Sequence, residues 1–221
     1  MEEQRIRKYV WEFPVRLTHW INVLCILALS FTGFYIGRPF IHATSPDQFI
    51  MGWMRLIHYI SAYTLMMSII IRIYWSVMGN RYANFRTWFP LSGRKMSEIS
   101  KELKFYSLAS RKAPDVVGHT AFGGLAMLLV FAICIFQIIS GFAIYSVTHS
   151  GMLWTVLGGW LLGLMYLPNI RLYHHLLMYV LLAFALGHIY IAWYSASREK
   201  NGLMASILSG YKFVTGHEQD I

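Results

Sequence analysis

Residues 171–190 read RLYHHLLMYVLLAFALGHIY. An apolar run carries a histidine near each end, His174 and His188, fourteen residues apart. On an α-helix fourteen residues rise about 21 Å and come back to within about 40° of the starting direction. One helix face therefore presents two imidazoles at two levels. The run is also about the 20 residues needed to cross the hydrocarbon core of a bilayer. The two levels are then two depths in a membrane.

Outward from this stretch, the rest of the chain keeps the same character. Of 221 residues 57% are hydrophobic and only 13% charged, with a mean hydropathy of +0.47. A soluble domain needs far more charge to cover its surface. Apolar blocks at about 17–37, 56–78, 119–146 and 172–195 each have span length. The expected fold is all-α: an integral membrane four-helix bundle with an additional interfacial helix, one membrane domain over residues 1–221. The N-terminal arm mixes Glu and Arg, and no small-residue cleavage site follows. The first block should be a retained anchor and not a signal peptide.

The net charge of +9 has a topological meaning. Fifteen of the 19 basic residues fall in the N-terminal arm (Arg5, Arg7, Lys8, Arg16), the 79–118 loop and the C-terminal tail. In that loop they are Arg81, Arg86, Arg94, Lys95, Lys101, Lys104, Arg111 and Lys112; in the tail, Arg198, Lys200 and Lys212. The opposite side has only Arg38, Arg55 and Arg171, and Arg72 lies within a span. The positive-inside rule then puts both termini of this multi-pass protein in the cytoplasm. Nucleic acid is not the expected partner of these charges; the lipid bilayer is.

The 147–171 segment is a harder case. Its run 152–167, MLWTVLGGWLLGLMYL, is apolar but short, interrupted by glycine and ended by Pro168. As a fifth span it would send the basic tail outside. It reads as a periplasmic interfacial or re-entrant segment. The 79–118 loop, with Pro90, Pro114 and mixed charge at 94–112, should hold a short amphipathic helix on the cytoplasmic surface.

Cofactor chemistry narrows by elimination. Cys25 and Cys134 are the two cysteines, both inside apolar blocks, and no C-x-x-C-H occurs. Covalent haem attachment, disulfides and an internal iron–sulfur cluster are therefore not expected. Histidine is the abundant ligand. His19 begins the first span and His58 the second, which runs in the opposite sense, so His58 matches His174 in depth and His19 matches His188. Two bis-histidine sites follow, each suited to a haem iron. A proton relay would ordinarily include intramembrane Asp or Glu, absent from the four spans, and zinc prefers ligands clustered at one level.

Gly33, Gly141, Gly123, Gly124 and Gly187 fall near the levels where haem would need room, although membrane glycines also serve close helix packing. Arg72, fourteen residues after His58, either meets a haem propionate or snorkels to the interface; Arg16 and Arg171 are propionate candidates at the two ends. His119 is either a helix-start residue or a hydrogen-bond donor to quinone. His175 points away from His174, and His42, His149 and His217 are expected in solvent. Trp20, Trp53, Trp75 and Tyr190 suit an interfacial aromatic belt.

These residues carry a resemblance. Arg16-Leu17-Thr18-His19-Trp20-Ile21 through Thr32-Gly33, Arg55-Leu56-Ile57-His58, and Arg72-Ile73-Tyr74-Trp75 with Gly79-Asn80-Arg81-Tyr82 are similar to the cytochrome b subunits of membrane-bound nickel–iron hydrogenases. So is Arg171-Leu172-Tyr173-His174-His175 through Gly187-His188-Ile189-Tyr190. Gly118-His119-Thr120-Ala121 departs from the Gly-His-Asn-Pro form associated with that position, which weakens any role carried over to His119. The resemblance implies two haem b groups on His19, His58, His174 and His188. It also implies a place in the bacterial inner membrane, hydrogenase small and large subunits docked on the periplasmic side, and membrane quinone as electron acceptor. This chain would be an electron-transfer subunit that reduces quinone and does not itself activate H2. The competing readings are a subunit of a formate dehydrogenase or thiosulfate reductase type complex, a stand-alone quinone-reactive cytochrome b, and a haem-free membrane anchor.

Overall fold

Four long apolar helices dominate the computed structural model, which describes residues 6–89, 93–110 and 116–214. They are α1 (Phe13–Gly37), α2 (Ile50–Met78), α4 (Ala121–Ser146) and α6 (Leu167–Glu199), each long and apolar enough to cross a membrane. Between them lie α3 (Gly93–Tyr106), α5 (Met152–Leu157) and, after α6, α7 (Leu203–Ser209). Arg5, Pro90, Arg111, Lys112, Pro114 and His217 lie outside the described residues.

The long helices overrun the apolar blocks read from sequence because a helix need not end where its apolar run does. α2 begins at Ile50 and α6 at Leu167, with Pro168 in its first turn, where a missing N–H costs nothing. Their outward faces are apolar. Leu24, Leu129, Leu186 and Trp193 are all exposed, an arrangement that water would penalise and lipid tails would not. Trp20 and Trp53 are exposed in the same way, as belt residues would be. Trp75 is half-buried, and its Nε1 donates to Glu12 Oε2 at 2.8 Å.

The chain divides into two compact units. The first comprises residues 1–17, 71–131 and 183–221, the second 18–70 and 132–182. In the first, β1 (Ile6–Tyr9) and β2 (Tyr211–Val214) form an antiparallel two-stranded sheet, Arg7 opposite Phe213 and Lys8 opposite Lys212. This sheet joins the two ends of the chain, and periodicity gave no sign of it. Gly210 makes the turn into β2: it has φ +88°, and a Cβ there would lie 2.7 Å from the Trp11 carbonyl oxygen. Beneath the sheet Val10, Trp11, Val15, Tyr82, Ala83, Val117 and Val214 form a buried cluster. Glu12 also accepts the Asn80 backbone N–H at 2.8 Å, tying the start of α1 to the exit of α2.

The amphipathic helix expected in the 79–118 loop is α3, and its buried Glu102 has a structural task. Its two carboxylate oxygens accept the Ala121 and Phe122 N–H groups at 3.1 and 2.9 Å. A carboxylate at the N-terminus of α4 satisfies two orphan donors and opposes the helix dipole. Replacing Glu102 with Ala should cost about 1–2 kcal/mol, measurable as earlier thermal unfolding of the detergent-purified chain. Glu102→Gln, which keeps one acceptor oxygen, should lose less.

In the second unit the 152–167 run is broken in two. α5 has six residues, a 3-10 turn covers Gly159–Gly163, and neither is long enough to span. The break packs on α4, since a Cβ at Gly158 would fall 2.2 Å from the Ile139 carbonyl oxygen. Ala143, Leu161 and Ile170 form the buried cluster there. Cys25 and Cys134 are both buried free thiols.

Candidate functional site

Within the second unit α2 and α6 bring forward His58 and His174, and each imidazole meets a hydroxyl. Thr32 Oγ1 on α1 lies 2.9 Å from His58 Nδ1. The same hydroxyl donates to the Ala28 carbonyl at 2.7 Å. A hydroxyl has one proton, and this one is spent on the helix backbone four residues back, as serine and threonine commonly do. Towards His58 it can only accept. His58 is therefore protonated at Nδ1, and its Nε2 keeps a free lone pair.

The other half repeats this arrangement. Ser140 Oγ on α4 donates to the Phe136 carbonyl at 2.7 Å and lies 2.8 Å from His174 Nδ1. His174 is thus held in the same tautomer. Gln137 Nε2 donates to the His174 carbonyl at 3.0 Å and steadies the helix at that point. Beside each hydroxyl lies a glycine. A Cβ on Gly33 would sit 3.6 Å from His58 Cε1, and one on Gly141 3.6 Å from His174 Cε1. His58, His174 and His175 are within electrostatic range of one another. His175 itself is pressed against Gly37, where a Cβ would approach its Cε1 to 2.6 Å.

The first unit holds buried nitrogen. Arg72 is only 2% exposed, which overturns the snorkelling alternative. Its Nη1 donates to the Ala83 carbonyl at 3.3 Å and its guanidinium lies 5.0 Å from the Trp88 ring. The other nitrogen, Nη2, is buried without a partner, as are Trp88 Nε1 and Arg16 Nε. Arg16 also donates to the Leu208 carbonyl. Burying a cation without an anion costs several kcal/mol, so these donors suit an acidic group. His119 sits edge-on to Trp11 at 4.7 Å, two residues ahead of α4. Burial, helped by the Arg72 charge, pushes its pKa down to about 4, so it is neutral at physiological pH.

The remaining candidates separate by unit. His19 lies in the second, its ring edge-on to Trp20 at 5.3 Å. His188 lies in the first, stacked on Phe184 of its own helix at 5.7 Å, with no atom within 4 Å of a Cβ built on the neighbouring Gly187. Arg171, His42 and His149 are exposed. One expectation is corrected. Gly123 and Gly124 do not open space: a Cβ on Gly124 would collide with the Thr87 carbonyl oxygen at 2.5 Å, and one on Gly123 would press on Thr120 Oγ1. They let the start of α4 pack tightly. Among the described residues no three of His, Cys, Asp and Glu gather to hold a metal ion.

Residues 10–210 match the family described as prokaryotic cytochrome b561. The chain belongs to that family. It is 34% identical, over 97% of its own length and 92% of the relative's, to a probable Ni/Fe-hydrogenase B-type cytochrome subunit of Rhizobium leguminosarum bv. viciae. A protein of the same description from Cupriavidus necator is 32% identical over 92% of this chain and 86% of its own. A probable Ni/Fe-hydrogenase 1 B-type cytochrome subunit of Escherichia coli is 29% identical over 94% and 91%. Members of the cytochrome b561 family are helical membrane proteins, and this one is a multi-pass b-type cytochrome, which implies haem b.

The residues present in this cytochrome b561 fit that group. Two imidazoles with free Nε2 lone pairs are the donor set of a bis-histidine iron. The glycines beside them leave room for at least a methyl group, and Arg72 and Arg16, each with a buried unpartnered nitrogen, offer charge for carboxylates. Sequence reading did not find Thr32 and Ser140 as partners of the histidines. A signal existed: Thr32-Gly33 and Ser140-Gly141 are the same hydroxyl–glycine step in two different spans. Trp88 and Glu102 were missed as well, because nothing local distinguishes a buried polar side chain from an exposed one.

Proposed function

We propose that this chain is the di-haem b-type cytochrome subunit of a quinone-reducing hydrogenase complex. It takes electrons from the iron–sulfur small subunit of a periplasm-facing nickel–iron hydrogenase and delivers them to membrane quinone. The observation that carries this reading is the matched pair of imidazoles, His58 and His174, each tied at Nδ1 to a hydroxyl, an arrangement that leaves Nε2 as the ligating nitrogen. The hydrogenase descriptions of the relatives support the choice of partner. Haem b supplies one-electron transfer when bound.

In this reading His58 and His174 ligate the periplasmic-side iron, and His19 with His188 the cytoplasmic-side one. The second pair rests on the fourteen-residue spacing along α6 and on helix direction. Arg72 and Arg16, both with a buried unpaired nitrogen, hold propionates at the cytoplasmic side; Arg171 serves the periplasmic end. Both termini lie in the cytoplasm. The excess of Lys and Arg on that side supports this, as does the β1–β2 sheet, which sets Ile6–Tyr9 beside Tyr211–Val214. Quinol protons are then drawn from the cytoplasm. No H2 activation occurs in this chain.

The test is purification of the complex from membranes with a haem count. Two haem b per chain, a b band reduced by H2, and co-purifying hydrogenase subunits are expected. A count of one, or co-purification with a formate or sulfur-compound oxidoreductase instead, would overturn the assignment.

A further inference from the structure

The repeated hydroxyl–glycine step reaches beyond ligation. Thr32-Gly33 on α1 faces His58, and Ser140-Gly141 on α4 faces His174. In each case the hydroxyl meets Nδ1 and the next residue, glycine, lies under Cε1, the carbon between the two ring nitrogens. The edge of each imidazole is thus lined up along the neighbouring helix from Nδ1 towards Nε2. Thr32 is 2% exposed and Ser140 0%. Water does not compete for either contact, so the hydroxyl oxygen is the acceptor for the ring N–H.

We propose that Thr32 and Ser140 are a pair of positioning residues that lock both imidazoles in the Nδ1–H tautomer and lower the reduction potential of the iron they hold. The proposal rests on the haem reading above. An imidazole whose Nδ1–H is donated to an oxygen becomes more electron-rich and a better donor at Nε2. A richer ligand favours the ferric state, so the pair pulls one of the two haem potentials down. Hydrogen bonding to the axial ligand is one of the few levers a protein has on haem potential. The hydroxyls are suited to it because their own protons are already committed to Ala28 and Phe136.

The experiment compares Thr32→Val, Ser140→Ala, the double variant and Thr32→Ser in the purified complex. Haem content and a potentiometric titration of the b band are read for each. The expected result is two haems per chain throughout, with one midpoint potential raised in each single variant and raised further in the double. The second potential should stay unchanged, and Thr32→Ser should match the unaltered protein. Loss of one haem in Thr32→Val with retention in Thr32→Ser would also support the proposal. Both potentials unmoved at full haem content, or Thr32→Ser shifted or depleted as much as Thr32→Val, would overturn it. Failure of the underlying reading looks different: removing His174 would then leave both haems in place.

Discussion

Replacing His174 with alanine is expected to lower the haem b content of the complex from two per chain to one, and to abolish H2-driven quinone reduction. The imidazole is the only part removed. Ser140 would lose its acceptance of an N–H, but its bond to Phe136 would remain, so α4 has no reason to unfold. The Gln137 contact is made to the backbone of residue 174 and survives too. The defect is therefore one of ligation and not of folding, and the remaining band should keep its position in the spectrum. His58→Ala should give the same phenotype if, as proposed, both rings serve one iron; the double variant should be no worse than either single. Pyridine haemochrome quantification checks the count. Two haems persisting in His174→Ala would refute the assignment of this pair.

Gly33 and Gly141 carry the second large effect. A glycine within a helix costs about 1 kcal/mol relative to alanine, so two of them in long spans call for a reason. Close helix packing is one. At these positions, however, a Cβ would meet only the imidazole Cε1 atoms at 3.6 Å and, at Gly33, Met178 Sδ at 3.5 Å. Those are ordinary van der Waals separations, so the protein itself has space for a methyl group. On the proposed reading, the absence of a side chain leaves room for a flat ring lying against the helix. Gly33→Ala and Gly141→Ala should leave the haem-depleted chain at least as stable as before and reduce haem retention. Gly141→Val should abolish the haem held by His58 and His174. Thermal unfolding with and without haem separates the two effects. Full haem content in Gly141→Val would rule out the space-keeping role. Gly124 is the contrasting case. There a Cβ strikes backbone, and Ala should destabilise the chain whatever its haem content.

The division between these glycines shows where reading the sequence stops. All five were visible as small residues at suitable depths, and nothing local distinguishes one that leaves space from one that closes it. Arg72 is similar: its register on α2 was legible, but whether its guanidinium turned outward or inward depended on the loop bearing Ala83 and Trp88. Glu102 reads as one more acidic residue of an amphipathic helix until the start of α4 is brought to its carboxylate. The sheet between β1 and β2 joins residues more than 200 positions apart, and strands of four residues leave too little pattern to recognise.

What the sequence determined by itself is the set of four membrane-spanning helices and the place of each histidine along its helix. Hydropathy is summed over neighbours along the chain, and helix rise and period are constants, so spans and spacings follow without any knowledge of packing. Tertiary structure alone decided the protonation of His58 and His174, the inward turn of Arg72 and the separate tasks of the glycines. Each of these depends on atoms delivered by another helix or loop, and which side chains meet across helices is set by rotation and packing that no single segment encodes.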